Sequence, residues 1–272
     1  TAPGVPEPST RHRIMTKQTK TALVASAAAS TYIDVLLTTL TSGDDPTVRK
    51  LVVLNVAALS PYEIDGGTPG FKRLAEQGTL TALRAPEPAL TCPSHATMLT
   101  GVLPSEHGVI ANGWYERERA KIFNWGRSDN LMSGARVWDA LRAVKPSAKV
   151  ANLFWRFSTH SSCDLTLTER PTYFSNGRKG ADVYASDPGF KALCDDRLGA
   201  FPFFHFWGPK ANLESSRWIL DAARLAVDYT APDLLLCYAP GLDYDIQRFG
   251  PSAPETRSTL ERGDELYSAF IE

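Results

Sequence analysis

The segment Leu51-Val52-Val53-Leu54-Asn55-Val56-Ala57 constrains this chain more than any other. A near-continuous apolar run of that length is the pattern of a strand buried on both faces. Such strands belong to parallel sheets covered by helices. Asp233-Leu234-Leu235-Leu236-Cys237-Tyr238 is a second short run of this kind, and residues 148–154 are a third. Helical signals fall between them. Thr68 caps a short helix with Pro69 in its first turn and Gly78 at its end. Residues 79–85 read as a strand, 91–100 as a helix stopped at Gly101, and 137–144 as an amphipathic helix. Residues 212–228 place Trp218, Ile219, Ala222, Leu225 and Ala226 at helical spacing, and 260–270 close the chain as a helix. This alternation predicts an α/β fold: a mostly parallel central sheet with helices on both faces. Residues 157–209 stand apart, rich in aromatic, Pro and Gly residues and weak in periodicity. They read as an insertion over the sheet edge, where lids and pockets are commonly built.

Residues 1–48 have another character. Pro3, Pro6 and Pro8 precede a basic patch of Arg11, Arg13, Lys17 and Lys20, and a small-residue run extends from Ala22 to Ser30. The stretch is read as a disordered or targeting extension. Counted from Met15, two lysines ahead of ALVASAAAS have the layout of a secretory or organellar targeting segment. Its small and polar residues bury too little area to offset the entropy of ordering them. Residues 49–272 then form the α/β domain, and 43% apolar content in a 272-residue chain suffices for a sizeable core.

Charge and cysteines exclude several classes. Lys plus Arg (29) nearly balances Asp plus Glu (30), so nothing draws the chain electrostatically to a nucleic acid duplex or an anionic membrane. No apolar run reaches the length of about 18 residues that a transmembrane helix requires. Cys92, Cys163, Cys194 and Cys237 form no C-x-x-C pair, which argues against a zinc ribbon or thioredoxin motif. Cys92 and Cys237 read as small buried hydrophobes. Cys163 and Cys194 could pair only in an oxidising compartment, and four free thiols are expected. No signal fixes the oligomeric state.

Ligands of open parallel sheets bind beyond the carboxyl ends of the strands. Three segments follow predicted strands there: 55–61, 88–101 and 240–251. Thr91 falls at a helix start, where unpaired N–H groups and the helix dipole favour an anion. Alone, it is more simply a helix cap, because a threonine hydroxyl is a poor nucleophile without activation. Asn112, in a glycine-flanked loop, offers an amide donor to developing negative charge, or serves as a turn residue. Asp243 and Asp245 share one face if their segment is extended. Such a pair is otherwise a solvated loop.

Taken together, LVVLNVAALSP, GGTPGFKRLAEQGT, TCPSHATMLTGVLPSEHGVIANGWYERE and DLLLCYAPGLDYDIQRFGP resemble the type I phosphodiesterase/nucleotide pyrophosphatase family of the alkaline phosphatase superfamily. Order and spacing both match, over residues 49–272. The resemblance implies an alkaline phosphatase-like fold and a hydrolase acting on phosphodiester or pyrophosphate bonds of a small-molecule phosphoester. It implies that Thr91 is the covalent nucleophile and a metal neighbour, and that Asn112 holds the phosphoryl group in the transition state. It gives Asp243, or less readily Asp245, to a metal ion. The family's cofactor is a pair of divalent metals, zinc, which stabilise the attacking and leaving oxygens of an in-line displacement. His95 and His107 match positions that are structural in the family.

The chain departs from that pattern at its metal ligands. The family places an Asp-Gly at the end of the first strand, where this chain has Ala57-Ala58. Asn55 shares that strand face but lies about 7 Å further back. Counted from Gly250-Pro251, Asp243 leaves Gln247 in the slot of a family histidine, and Asp245 leaves Phe249 there. Further family ligands lie downstream of the segment that ends at Glu272, so the domain is expected to be incomplete at its C-terminus. The resemblance therefore implies a degenerate metal site, holding at most one divalent ion weakly. The rival reading is a non-catalytic phosphoester-binding or interaction domain of the same fold. Phosphonate or sulfate ester cleavage is a third.

Overall fold

The computed structural model describes residues 20–26, 33–41 and 49–272. Strands β1 (Lys20–Ser26), β2 (Ile33–Thr41) and β3 (Arg49–Ala57) lead to α1 (Pro69–Gln77), β4 (Thr79–Leu83) and α2 (Thr91–Thr100). A short α3 (Pro104–His107), the hairpin β5 (Gly113–Glu116) and β6 (Lys121–Asn124), and α4 (Val137–Val144) follow. Next come β7 (Val150–Leu153), β8 (Leu165–Tyr173), β9 (Lys179–Ala185), α5 (Pro188–Leu198) and α6 (Phe203–Phe206). The last elements are α7 (Leu213–Thr230), β10 (Leu234–Ala239), α8 (Asp243–Phe249) and α9 (Pro254–Ile271).

One sheet of eight strands runs β4-β1-β2-β3-β10-β7-β8-β9. Its centre is parallel: β3 pairs with β10, β10 with β7, and β7 with β8. The three apolar runs of the sequence are thus adjacent strands. Their continuity has a simple cause, since both faces are covered. Along β10, Leu235 and Cys237 join one core with Leu54, Val56 and Leu153 under α7. Leu234 and Leu236 join the other with Val150, Trp138 of α4 and Cys92, Ala96 and Leu99 of α2. Gly101, at φ 73°, stops α2 in the left-handed conformation that glycine adopts without cost.

The structure revises four expectations. Within residues 1–48, read as a disordered or targeting extension, β1 and β2 are strands of the main sheet, and the rest lies outside the described residues. β2 pairs antiparallel with both β1 and β3, and β1 runs parallel to β4. Ile33, Val35, Leu36, Leu37, Thr38 and Thr39 suit a pleated surface, and that propensity outweighed the small-residue composition nearby. The aromatic-rich stretch 157–209 supplies β8, β9, α5 and α6, so it extends the sheet itself. Thr68 precedes α1 but does not cap it with its side chain; its hydroxyl donates to the Glu63 carbonyl. The cap comes instead from Asp264 of α9, whose carboxylate accepts from Gly70 N–H (2.8 Å) and Phe71 N–H (2.5 Å). Gly70 permits this approach, because a β-carbon there would lie 2.3 Å from Ser268 Oγ. Finally, Asp243-Tyr244-Asp245 is helical rather than extended, with consequences for the site.

Candidate active site

The carboxyl ends of β3, β10 and β7 open into a cleft of about 690 Å³. Thr91, Asn112 and Asp243 all line it, and so do Asn55 and Ala57. Asp245 is not among the lining residues. In a helix, positions i and i+2 point to nearly opposite faces. Asp245 accordingly pairs with Arg248 (2.9 Å) and accepts from the Thr259 hydroxyl of α9 (2.6 Å).

The α2 side of the cleft is closely wired. Thr91 is the first residue of α2; Leu90 occupies the cap position and offers no side-chain acceptor to the first-turn N–H groups. The Cys92 N–H donates to Asn112 Oδ1 (2.9 Å), which fixes the Asn112 amide and leaves its NH2 group as a donor. The Asn112 carbonyl accepts from Trp125 N–H (2.7 Å), tying this loop to β6. Burial pushes the Cys92 thiol up to about 11, so it stays protonated and is not a competing nucleophile.

His95, one turn along α2, packs edge-on against Tyr238 (4.6 Å between ring centres) and beside Trp155 (4.9 Å). Its Nδ1 accepts from Arg156 N–H (3.0 Å), which assigns the proton to Nε2. Burial, reinforced by Arg156, holds its pKa well below the ordinary value, so the ring is neutral. His107 is also fully buried, with Nε2 3.0 Å from Thr97 Oγ1 and Nδ1 accepting from Val109 N–H (3.1 Å). Both rings join helix to loop.

Sequence reasoning missed a second wall, formed by Trp125, Arg127, Arg156 and Glu169. Arg156 follows β7, and Glu169 lies on β8. The Arg156 guanidinium donates to Glu169 Oε1, and Arg127 Nε donates to the same oxygen (3.2 Å). Thr168 Oγ1 donates to Glu169 Oε2 (2.8 Å). Burial works against the charge on Glu169, but Arg156 and Arg127 outweigh it and hold the carboxyl below its usual range. Arg156 is raised despite burial, chiefly because Glu169 faces it. The pair is ionised. An available signal was the place of Arg156, a charged residue three positions beyond the carboxyl end of the buried strand β7.

The resemblance implies a divalent metal cofactor, so the donors on the third wall, at the ends of β3 and β10, decide whether an ion fits here. They fit poorly. Ala57 ends β3 with no ligating atom, and the Asn55 amide contacts Met98 Sδ (3.8 Å). Asp243 accepts from the Gln247 amide, and no cation pairs with it among the described residues; burial raises its pKa. Glu169 is occupied by two arginines. Among the described residues, no three His, Cys, Asp or Glu side chains cluster as a metal site would need.

Against this geometry, comparison with known proteins places the chain. Residues 51–272 match the family model of type I phosphodiesterase / nucleotide pyrophosphatase, and the chain belongs to that family. An uncharacterized pyrophosphatase/phosphodiesterase of Schizosaccharomyces pombe is 26% identical over 215 residues, covering 78% of this chain and 38% of its own length. Among solved structures, phosphonoacetate hydrolase of Sinorhizobium meliloti 1021 in complex with phosphonoformate aligns with a TM-score of 0.47 and 18% identity. That alignment covers 75% of this chain and 47% of the hydrolase. Murine ectonucleotide pyrophosphatase / phosphodiesterase 5, in an inactive form with AMP, aligns with a TM-score of 0.38 and 15% identity, over 66% of this chain and 40% of its own. The chain thus spans less than half the length of each of these relatives.

Proposed function

We propose that this domain binds a small phosphoester and that its whole protein hydrolyses a phosphodiester or pyrophosphate bond through Thr91. The observation that carries this reading is the meeting of Thr91, Asn112 and Asp243 in one cleft at the start of α2. In the proposed reaction Thr91 Oγ1 attacks phosphorus, and the bond from phosphorus to the departing alcohol or phosphate oxygen breaks. The hydroxyl proton passes to Asp243, the cleft carboxylate without a cationic partner, whose raised pKa suits it to hold a proton. Water then opens the phospho-threonine and releases the phosphorylated product. The Asn112 NH2 group and the Thr91 N–H donate to the phosphoryl oxygens as charge develops; the Cys92 and Ser94 N–H groups are already engaged by Asn112 Oδ1 and the Leu90 carbonyl, and Pro93 has none.

A second reading, a phosphoester-binding domain without turnover, draws on the poor fit of the third wall to metal. One experiment separates them: hydrolysis of a chromogenic phosphodiester by the dialysed protein, with metal content measured alongside, for wild type and Thr91→Ala. Turnover lost in Thr91→Ala supports catalysis. Turnover absent in wild type, or indifferent to Thr91, supports the binding domain.

A further inference from the structure

We infer that Arg156 and Arg127 hold the phosphoryl group of the ligand directly, supplying the positive charge that metal ions supply in relatives. The inference rests on reading the cleft as a phosphoester site. It starts from an imbalance. Two guanidinium groups face one carboxylate, Glu169, so the wall retains one net positive charge. Arg248 also lines the cleft, but Asp245 neutralises it.

Arg156 is 7% exposed, yet it lines the cleft, and its Nε has no hydrogen-bond partner among the described residues. Guanidinium presents five donors in a rigid plane, and Glu169 occupies few of them. A buried donor left without a partner destabilises the fold that holds it, and this fold keeps one on a cleft-lining residue. The plane is also held still. It lies over the Trp125 ring, 4.9 Å from its centre, and the Arg156 backbone N–H is tied to His95. Trp125 is in turn tied to Asn112, and Asn112 to Cys92. One continuous path therefore runs from the guanidinium to the helix start that carries Thr91.

The backbone around this group is unusual. Trp125, Phe154 and Phe157 have φ of 52°, 61° and 64°. Bulky side chains rarely adopt that region, and residues persist there only where their surroundings hold them. Three in the segments that flank Arg156 and support its guanidinium indicate a site whose shape is enforced by its surroundings. A planar fork that lines the same cleft as a helix N-terminus suits a tetrahedral oxyanion, which accepts from both.

The test uses inorganic phosphate as the probe and the protein stripped of metal and kept in EDTA. Titration calorimetry or thermal stabilisation is expected to show phosphate binding that weakens with added salt. Arg127→Gln should weaken it at least tenfold with an unchanged circular dichroism spectrum, because Arg127 is partly exposed and its removal leaves the Arg156–Glu169 pair intact. Arg156→Lys, which keeps the charge but loses the fork, should weaken it too if it folds, and Arg127→Gln decides the matter if it does not. Phosphate binding is read without turnover, so this inference and the assignment of Thr91 as nucleophile fail separately. Phosphate binding that appears only with added zinc, or that is indifferent to Arg127→Gln, overturns the proposal.

Discussion

The two sides of the cleft have been kept differently. On one side, running from the start of α2 to the residues after β7, Cys92, Asn112, Trp125, Arg156 and His95 are linked by named hydrogen bonds and a ring contact. On the side formed by β3 and α8, Ala57 offers no donor, and Asp243 has only an amide for company. An anion can be held by fixed N–H groups and guanidinium without any metal, whereas a metal needs several lone-pair donors at once. The first arrangement tolerates the loss of the second, and this chain illustrates that asymmetry.

The largest effect should come from breaking the wired side. Arg156→Ala leaves Glu169 buried without its main partner, and about 3–5 kcal/mol of stability should be lost. Urea denaturation would measure it, and Arg156→Met with Glu169→Leu should recover most of the loss. A cost below about 1 kcal/mol would show that the pair is solvated in solution. The other side can be rebuilt. Ala57→Asp combined with Gln247→His should raise zinc affinity at least tenfold, about 1.4 kcal/mol, in competition with a chromogenic chelator. Unchanged affinity would mean that the backbone there no longer suits an ion.

A titration sharpens the comparison further. His95 has a folded pKa well below the unfolded value of about 6.5, as does His107 to a lesser degree. The unfolded chain therefore takes up protons first, and stability should fall as pH drops below about 6.5. His95→Asn should flatten that slope, read as the difference in midpoint between pH 7 and pH 5. An equal slope in both proteins would place the titration elsewhere.

The smallest effect concerns Ala58, which stands in the family's glycine slot yet keeps φ at 68°. Relief of left-handed strain by Ala58→Gly is worth about 1–2 kcal/mol. Added chain entropy costs about 0.5–1 kcal/mol, and the lost buried methyl about 0.8 kcal/mol. The variant should stay within about 1 kcal/mol of wild type by these figures. A shift beyond about 2 kcal/mol in either direction would break that balance.

The central strands were legible because burial on both faces leaves an apolar run that no other element explains as well. α2 was legible from its glycine stop, and the family resemblance led to Thr91, Asn112 and Asp243. β1 and β2 were not, since the basic patch and small-residue run around β1 resemble a leader, although β2 pairs with its neighbours in sequence, β1 and β3. The α8 helix was misread because seven residues carry too little period to tell helix from loop, and with it went the shared face of Asp243 and Asp245. The Arg127–Glu169–Arg156 wall was invisible for a different reason. Its members come from three segments, and a buried ion pair leaves no mark on sequence until topology brings the partners together.

The cap on α1 also has a consequence in time. Asp264 is 194 residues from Gly70, the N–H it receives, and 193 from Phe71. A helix of nine residues is marginal alone in water. During synthesis, α1 therefore emerges long before the carboxylate that completes it. Its first turn can be satisfied internally only after α9 has left the ribosome and closed back on it, so α1 and α9 should acquire protection from amide exchange together.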